Sequence, residues 1–478
     1  MIDRNVLIHS LNTLETRFLP FRYRVDDAPV WPLLRMGLGG RSLRPEVRQA
    51  RSSGRSPQAR TADPARIFDL FGLTKSLPSS PLLFLSDPIN WADTSLGTVD
   101  KFAHPLITAA QELGLRSILM TSEEPEIPFQ KVPGMRVIRK KPLEKLLEFA
   151  HWRIPRTPMT ELIKDSVFWD AVISDFGEGS MPMLADAVHD HRFRLRASFR
   201  MMDRIRPSIV FYSCWYNSDH MAIAHVSQNL GIPSVDIQHG VQGPLHLAYG
   251  AWRGMPKEGC SSIPSFFWCW DQASADNIRS WAPPGHHQPF VGGSPWLEGY
   301  PSRSPFDRAV VRDRILISLQ PLNGKLPNEL VKAIKRSPST IKWVFRLHPS
   351  DRNYRSELDL WSLDQNIGDR IEVEDPTVVP IGLSLMRTLL HVTSYSSVIR
   401  EAAMVGVRSI AWHPDAAASY PDLVQDGSLT CSLKPLISED PLEAFFVPST
   451  IQPPSPLSSR LDSFLAFIGH KGAHHGAT

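Results

Sequence analysis

Short apolar runs alternate with amphipathic segments of helical length along most of the chain, and this alternation restricts the fold more than any other feature. A helix-length crossover between two apolar strands implies that the strands are parallel and joined in the right-handed sense. The pattern therefore predicts an α/β fold with parallel sheets. The first series of predicted strands covers residues 81–87, 116–122, 135–140, 207–213 and 232–240.

A second, separate series of strands and helices follows a segment rich in Gly, Pro and Ser at residues 293–308, which is typical of a linker. The chain of 478 residues is also too long for one ordinary core. We therefore predict two Rossmann-like domains, residues 1–300 and 301–478, that face a cleft. The last helix is expected to pack back on the N-terminal domain.

Composition and charge narrow the class of protein. The hydrophobic fraction of 42%, the charged fraction of 21% and a formal charge of only +3 fit a globular protein and argue against nucleic acid as the main partner. Four cysteines without metal-ligand spacing predict neither a zinc site nor a disulfide framework, which favours a reducing cytoplasm.

Two features of the sequence bear on export and membrane association: the start of the chain and a basic segment. Charged residues interrupt the start before any signal-type apolar run develops, and no apolar window is long enough to span a bilayer, so we expect a protein that is neither exported nor membrane-spanning. Residues 40–66 carry seven arginines against two acids. This composition predicts a solvated, disordered loop, or alternatively a contact with anionic lipid or a polyanionic acceptor.

The sequence "VDIQHGVQGP", residues 235–244, breaks a predicted strand with an amide, an imidazole and two glycines. One interpretation is a structural turn in which the glycines supply positive φ. The other is a ligand-facing loop at the carboxyl end of a parallel strand, with His239 as a general base. Carboxylates in other loops are alternative bases, although exposed carboxylates are common: Asp87, Asp175 and Glu178.

The sequence "TSYSSVIREAAMVGV", residues 393–407, gives the strongest local signal. Hydroxyl groups of Ser394, Ser396 and Ser397 lie between a predicted strand and a predicted helix, where free backbone N–H groups favour a phosphate. Glu401 follows Ser397 by four residues and shares its helix face, where a carboxylate accepts hydrogen bonds from a ribose. The structural alternative is a serine cap followed by a solvated glutamate.

The sequence "FRLHPSD" places three more candidates at the end of a neighbouring strand. Arg346 and His348 are expected to neutralise charge on a departing phosphate, with Pro349 fixing the turn. A strand-end histidine bonded to backbone is the alternative. The motifs of nicotinamide enzymes, P-loop proteins, zinc proteases and serine hydrolases do not occur in the sequence.

Taken in order, "QHGVQGP", "WDQ", "VGGSPWL", "RLHPSD" and "TSYSSVIREAAMVGV" resemble motifs of bacterial surface-polysaccharide glycosyltransferases of the GT-B fold. The resemblance is to the group of CDP-glycerol glycerophosphotransferases, capsule Kdo transferases and bacterial sialyltransferases. It implies that His348 and Pro349 form the HP pair, and Ser396 and Ser397 the SS pair, that bind a cytidine nucleotide. His239 and Gly240 match the HG motif of the glycerophosphotransferases.

Two departures from the family pattern leave the donor open. The acidic motif of the sialyltransferases is reduced to Glu178 before a glycine, and the threonine and lysine that follow the HG motif in the glycerophosphotransferases are absent. The resemblance implies an inverting, metal-independent transferase without a cofactor. It would move a sugar from a nucleotide donor, with CMP-sugars favoured, to a capsule, lipopolysaccharide or other surface glycan.

Three alternatives remain at this point. The first is a polyol-phosphate transferase with a CDP donor, the second a nucleotide-sugar 2-epimerase and the third a non-catalytic glycan-assembly protein. For all of them we expect a cytoplasmic protein, with peripheral contact to the cytoplasmic membrane if the basic segment binds lipid.

Overall fold

The computed structural model describes residues 4–43, 81–139, 158–250, 252–299, 312–320, 326–348, 354–437 and 454–469. The described chain divides into two compact units. The N-terminal unit comprises Met1–Trp91, Phe102–Gly292 and Arg460–Thr478, and the C-terminal unit comprises Ala92–Lys101 and Gly293–Ser459. Two sequence-based predictions concern residues outside the described part: most of the basic segment (44–66) and Pro349.

The strands, numbered along the described chain, are β1 (Arg24–Val25), β2 (Ala28–Pro29), β3 (Leu82–Ser86), β4 (Trp91–Thr94), β5 (Gly97–Asp100), β6 (Ser117–Thr121), β7 (Met135–Arg139), β8 (Ile209–Tyr212), β9 (Ser234–Ile237), β10 (Phe266–Cys269), β11 (Gln288–Val291), β12 (Arg314–Ser318), β13 (Lys342–Arg346), β14 (Ile371–Glu374), β15 (Thr388–Thr393), β16 (Arg408–Ala411) and β17 (Leu429–Thr430).

The α-helices of the described residues are α1 (Arg4–Phe18), α2 (Trp31–Leu43), α3 (Ala103–Glu112), α4 (Met159–Leu162), α5 (Ser166–Phe176), α6 (Ser180–Ile205), α7 (Ser218–Asn229), α8 (Gln272–Arg279), α9 (Pro295–Gly299), α10 (Asn328–Arg336), α11 (Tyr354–Asp364), α12 (Ile381–Met386), α13 (Val398–Met404), α14 (Asp415–Ser419), α15 (Pro421–Gln425) and α16 (Leu457–Phe467). Short 3₁₀ helices lie at Pro20–Arg22, Pro88–Asn90, Gly368–Arg370 and Lys434–Ile437.

A parallel sheet forms the centre of the N-terminal unit. The order of its described strands is β11-β10-β9-β8-β3-β6-β7, and every pair is parallel. Strands β3, β6, β8 and β9 are buried along their whole length, as strands covered by helices on both faces must be. The chain order reverses between β3 and β8, and open α/β sheets bind ligands at such a switch point.

The C-terminal unit repeats this plan. Its described strands form a parallel sheet in the order β14-β13-β12-β15-β16-β17, and the chain order reverses between β12 and β15. Apolar side chains of β12 and β13 alternate between two buried clusters on opposite faces. The predicted α/β class with two Rossmann-like domains is confirmed by these two sheets.

The units differ from the sequence-based division at 300/301 in three places. The hairpin of β4 and β5, residues 92–101, lies in the N-terminal half of the sequence but packs in the C-terminal unit. Residues 293–299 belong to the C-terminal unit, and the chain from Arg460 onward belongs to the N-terminal unit. There Phe464 of α16 packs against the rings of Trp268 and Phe290.

The described part of the Gly-, Pro- and Ser-rich segment is not a linker, which corrects the prediction for residues 293–299. Residues 295–299 form α9, and Trp296 and Leu297 are buried in an apolar cluster with Leu316 and Leu385. Two large apolar side chains outweigh the local turn composition, because burying each one stabilises the fold by about 2 kcal/mol.

Candidate functional site

The strand break at Gln238 has a structural cause as well as a candidate function. Gln238 lies directly after β9, and its amide joins three parts of the unit: Oε1 accepts from the backbone N–H of Trp270 at 2.6 Å, and Nε2 donates to Gly240 O at 2.9 Å and to Ser274 Oγ at 3.1 Å. Buried polar groups are hydrogen-bonded in this way throughout folded proteins. The amide therefore fixes the loop that carries His239 against the next strand.

The two glycines of this loop, Gly240 and Gly243, do not have the positive φ that the turn interpretation requires. The glycines with positive φ among the described residues do not include Gly240 or Gly243, so positive φ at these positions was a wrong expectation. A Cβ atom added at Gly240 would meet nothing within 4 Å. Neither conformation nor packing of the described chain explains the residue.

His239 contacts the loop that follows the neighbouring strand, β8. Its Nδ1 lies 3.4 Å from the backbone N–H of Cys214, and its Nε2 lies 3.0 Å from Cys214 Sγ and 3.2 Å from Tyr216 Oη. Cys214 has a φ of 56°, a left-handed conformation that side chains rarely adopt. Because Nδ1 accepts from the backbone N–H of Cys214, the proton of the neutral ring lies on Nε2. His239 can therefore take the proton of an acceptor hydroxyl at Nε2 only after its own proton has moved to Nδ1 and the Cys214 N–H contact has been released.

An aromatic cluster surrounds this histidine. The ring centroid of Tyr216 lies 5.4 Å from that of His246, and His246 lies 4.7 Å from Tyr249. The Tyr249 hydroxyl donates to Asp236 Oδ2 at 2.8 Å, and Asp236 also accepts from the backbone N–H of Trp215 at 3.0 Å. Burial raises the pKa of Asp236 well above its usual value. The cluster holds the loops after β8 and β9 together.

The charge state of the cluster decides its chemistry. Burial lowers the pKa of His239 to about 4, so the imidazole is neutral at neutral pH. Burial raises the pKa of the Cys214 thiol to about 12, with a smaller contribution from Asp236. A thiolate–imidazolium pair, the nucleophile of cysteine enzymes, is therefore excluded at neutral pH. The neutral imidazole has the protonation state that a general base requires.

Asp87, the second strand-end candidate, lies at the switch point of the same sheet. It follows β3, and its Oδ2 lies 4.0 Å from Nε2 of His220 at the start of α7. In the same turn, the Asn90 amide donates to Ser213 Oγ at 2.9 Å and so ties the loop after β3 to the loop after β8. Asp87 therefore shares the carboxyl edge of this sheet with His239.

Asp175 and Glu178 occupy a different setting. Both are exposed, Asp175 near the end of α5 and Glu178 in the turn before α6. Within the described chain no hydrogen bond, ion pair or ring contact joins either carboxylate to His239. The structure therefore gathers His239 and Asp87 at one edge of the sheet and leaves these two acids on helix ends.

A buried ion pair is hydrogen-bonded to the chain segment that follows His239. Arg35 of α2 pairs with Glu15 of α1, and both side chains are fully buried. Arg35 also donates to Leu247 O at 3.1 Å and Gly250 O at 3.3 Å, while Glu15 accepts from the backbone N–H of Arg253 at 2.6 Å. The two N-terminal helices thus hold the segment that carries His246 and Tyr249.

In the C-terminal unit, the serine loop lies at the switch point between β12 and β15. Thr393 Oγ1 donates to Ser318 O at 2.7 Å across the two strands. Ser394 O accepts from the backbone N–H of His413, and Ser396 O accepts from the Tyr420 hydroxyl at 2.9 Å. The backbone of the loop is therefore fixed by neighbouring elements, and Ser394 and Ser396 are buried.

The helix after this loop is short. α13 covers only seven residues, Val398–Met404, with Ser397 as its N-cap residue, and the chain leaves it through Gly406 at φ 71°. A helix of two turns contributes little dipole. An anion at this loop must therefore be held by hydroxyls, backbone N–H groups and side-chain cations.

Glu401 is buried, which rules out the solvated glutamate of the structural alternative. Burial raises its pKa to about 7, although Arg346 and Lys101 act to lower it. Near neutral pH the carboxyl group is thus divided between its two protonation states. It can donate or accept a hydrogen bond there, one turn beyond Ser397.

Arg346 has a structural partner that the sequence did not reveal. At the end of β13 its guanidinium pairs with buried Glu374 and donates to Val379 O at 2.7 Å. Ser384 Oγ donates to the other oxygen of Glu374 at 3.1 Å. Much of the Arg346 charge is therefore balanced within the protein. His348 follows the same strand and is partly buried.

Sequence reasoning missed two groups of residues. Cys214 and Tyr216 follow β8, and the rule that selected His239, polar residues at a carboxyl strand end, would have found them. Lys101 reaches the C-terminal unit through the β4–β5 hairpin, and no local pattern marks that placement.

The described residues contain no group of three or more His, Cys, Asp or Glu side chains arranged to hold a metal ion. No helix in the described ranges has the length and apolar character needed to cross a bilayer.

Comparisons with known proteins give structural neighbours only. No family model and no curated protein matches the chain. Among solved structures, UDP-GlcNAc 2-epimerase from Methanocaldococcus jannaschii has 14% identity and a TM-score of 0.48, with 81% of this chain and 99% of that chain covered. The Neisseria meningitidis UDP-GlcNAc 2-epimerase bound to UDP-GlcNAc has 12% identity, a TM-score of 0.48 and the same coverage.

A third neighbour is the glycotransferase of kitacinnamycin, with 15% identity and a TM-score of 0.41 over 82% of this chain and 96% of that chain. Two of these neighbours are thus UDP-GlcNAc 2-epimerases, and the third is a glycotransferase. Because every one of these scores is below 0.5, the function proposed below does not rest on these neighbours.

Proposed function

We propose that this protein is a glycosyltransferase that moves a sugar from a nucleotide-activated donor to a surface-glycan acceptor. The observation that carries the proposal is the serine loop Ser394–Ser397 at the switch point of the C-terminal sheet, with buried Glu401 one turn further on. Ligands of open α/β sheets bind at that position. The sequence resemblance to polysaccharide transferases, with its SS and HP motifs, supports the same assignment.

In this proposal the C-terminal unit binds the donor. Hydroxyls of Ser396 and Ser397 bind phosphate, Glu401 accepts from the ribose, and His348 lies beside the leaving phosphate. Preorganised donors and cations stabilise a leaving phosphate without solvent reorganisation. The proposed donor carries a cytidine nucleotide, as the resemblance implies. Transfer proceeds with inversion and without a metal.

The N-terminal unit supplies the general base of the transfer reaction. His239 is neutral at neutral pH and lies at the carboxyl edge of its sheet. We therefore propose that it accepts the proton of the acceptor hydroxyl. Asp87 is the next candidate for the general base and lies at the same edge. Asp175 and Glu178 are the last two candidates. The acceptor is a capsule, lipopolysaccharide or related glycan made at the cytoplasmic membrane face.

Paired substitutions test this division of roles. Ser397→Ala is expected to weaken nucleotide binding about tenfold, because one hydrogen bond to a charged phosphate is lost. His239→Ala is expected to leave nucleotide affinity unchanged and to lower turnover by about 10²- to 10⁴-fold, the usual contribution of a general base. Binding is measured by calorimetry and turnover by release of the nucleotide from its sugar in the presence of acceptor glycan.

Tyr216→Phe is the matched control for His239→Ala, because it removes one hydroxyl contact to Nε2 and keeps the aromatic packing. Its turnover is expected to stay within about tenfold of the wild type, since only one hydrogen bond is lost. Equal loss of nucleotide binding in Ser397→Ala and His239→Ala would contradict the assigned roles. Conversion of the donor sugar without any acceptor would indicate an epimerase instead.

A further inference from the structure

A pair of aromatic rings lies beside the serine loop in the C-terminal unit. Strands β15 and β16 are paired with Thr393 opposite Ala411. The pairing continues beyond the strand ends, because the backbone N–H of His413 donates to Ser394 O at 3.2 Å. Tyr395 and His413 follow the last strand pair by two positions and therefore lie side by side, with their ring centroids 4.8 Å apart. The two rings form an aromatic platform at the carboxyl edge of the sheet.

The aromatic platform is accessible, unlike the serines next to it. The His413 side chain is 42% exposed and Tyr395 is partly exposed, whereas Ser394 and Ser396, on either side of Tyr395, are buried. The loop that carries Tyr395 is also fixed from the other side, because the Tyr420 hydroxyl donates to Ser396 O at 2.9 Å. The platform is therefore a rigid apolar surface at an edge where open α/β sheets bind ligands.

Two polar groups border the platform. His413 Nδ1 accepts from the backbone N–H of Asp415 at 3.1 Å, so the proton of the neutral imidazole lies on Nε2. Among the residues that the structure describes, none accepts a hydrogen bond from this Nε2. The Asp415 carboxylate lies 3.8 Å from Nδ1 and is partly exposed. A sugar ring matches this arrangement, because it has an apolar C–H face and hydroxyl groups around its edge that both donate and accept.

The order of the strands decides which part of the donor reaches the platform. In the proposed function the nucleotide spans the ends of β13 and β15, where His348 and the serine loop lie. Strand β16, which precedes His413, lies on the opposite side of β15 from β12 and β13. The phosphate of a nucleotide sugar lies between the nucleoside and the sugar. A phosphate at the serine loop, with the nucleoside toward β13, therefore directs the sugar toward β16.

We propose that Tyr395, His413 and Asp415 form the subsite for the transferred sugar. The inference rests on the proposed function and gives a role to residues for which the resemblance implies none. The apolar face of the sugar packs on the two rings, His413 Nε2 donates to one sugar hydroxyl, and the Asp415 carboxylate accepts from another. The platform then contacts a nucleotide sugar but not the free nucleotide.

The test compares ligands that differ in the sugar: CMP with CMP-N-acetylneuraminic acid, UDP with UDP-N-acetylglucosamine, and GDP with GDP-mannose. Affinities are measured by calorimetry without an acceptor. Tyr395→Ala is expected to weaken the nucleotide sugar that the wild type binds by roughly 10-fold, because the apolar face of the sugar is no longer covered. The free nucleotide should bind as tightly as it binds the wild type. Tyr395→Phe keeps the ring and should recover most of the lost affinity.

Two further variants separate the donor group from the aromatic surface. His413→Phe keeps a ring in the platform and removes the Nε2 donor, and it is expected to weaken the nucleotide sugar by roughly 2- to 10-fold, the effect of one lost hydrogen bond. Phe467→Ala is the matched control, because it removes an exposed ring from α16 in the N-terminal unit. It is expected to bind every ligand like the wild type.

The outcomes separate this inference from the proposed function. Equal weakening of nucleotide and nucleotide sugar by Tyr395→Ala would overturn the sugar subsite, and so would unchanged affinity for both. A wild type that binds a free nucleotide but none of the three nucleotide sugars would overturn it as well. The first two results would leave the transferase proposal standing. Failure of the wild type to bind any nucleotide or nucleotide sugar would overturn the proposed function and this inference with it.

Discussion

Acidification from about pH 7 to about pH 5 is expected to destabilise the N-terminal unit steeply and to unfold it before the C-terminal unit. The reason is a set of histidines whose pKa burial lowers to about 4 or about 3 while the unfolded chain has the ordinary value of 6.5. Their members in this unit are His104, His191, His239, His246 and His287.

The direction of the effect follows from proton binding. Between the unfolded pKa of 6.5 and the folded pKa near 4, the unfolded chain binds a proton at each histidine and the folded unit does not. Stability is therefore fully present above about pH 6.5 and is lost as the pH falls toward 4. Burial raises the pKa of Asp236 and Glu15, and these two carboxyl groups act in the opposite direction.

His225 of the same unit adds to the five histidines, because burial lowers its pKa as well. The histidines therefore outnumber the two opposing carboxyl groups, and the free energy of unfolding falls steeply as the pH is lowered toward 5. In the C-terminal unit, His391 has a pKa lowered to about 3 and Glu401 a pKa raised to about 7, so the two effects largely cancel. Urea unfolding at a series of pH values gives the slope, and hydrogen exchange read by mass spectrometry assigns it to a unit.

His287→Gln provides the matched variant. Nδ1 of His287 lies 2.8 Å from Pro264 O, and its Nε2 accepts from the backbone N–H of Cys260 at 3.0 Å; a glutamine amide can both donate and accept. The variant is expected to flatten the slope by about 1.4 kcal/mol per pH unit, the contribution of one proton. Equal stability of the N-terminal unit at about pH 7 and about pH 5 would contradict this explanation.

Glu15→Ala is expected to lower the free energy of unfolding of the N-terminal unit by about 3 to 5 kcal/mol, the range for removing one partner of a buried ion pair. The substitution leaves the Arg35 guanidinium buried without its carboxylate. It also removes the acceptor of Trp31 Nε1, at 2.8 Å, and of the Arg253 backbone N–H. Thermal unfolding should show a Tm lowered by about 10 °C.

Two further variants identify the cause. Arg279→Ala breaks an exposed pair with Asp276 and is expected to cost at most about 1 kcal/mol. The double variant Glu15→Leu/Arg35→Met should recover part of the loss, since apolar side chains of similar size replace buried ion pairs well. A Glu15→Ala protein as stable as Arg279→Ala would show that the pair does not hold the loop after His239.

The sequence was sufficient to predict the sheets and the ends of their strands. Parallel strands are buried on both faces and are therefore continuous apolar runs, so the polar residue that ends each run is easy to recognise. The positions of His239 after β9 and of the serines after β15 followed from this pattern alone.

The sequence was not sufficient where distant segments decide the environment. Glu401 has the same spacing from Ser397 whether it is solvated or buried, and only the packing of the β4–β5 hairpin and β13 around it shows that it is buried. Lys101 lies in a hairpin whose partners are far away in the sequence. Such long-range contacts leave no period in the sequence that a pattern can detect.

The most direct test of the central claim is nucleotide binding by the full-length protein. Calorimetry and thermal shift are measured with CMP, CDP, UDP, GDP and ADP, each with and without Mg²⁺ and EDTA. A ligand that binds only the folded state raises its stability, so one nucleotide should raise the Tm selectively, and Ser397→Ala should reduce the shift. We predict a cytidine nucleotide and no need for Mg²⁺. The absence of binding or a Tm shift with every nucleotide would contradict the assignment of the serine loop as a donor site.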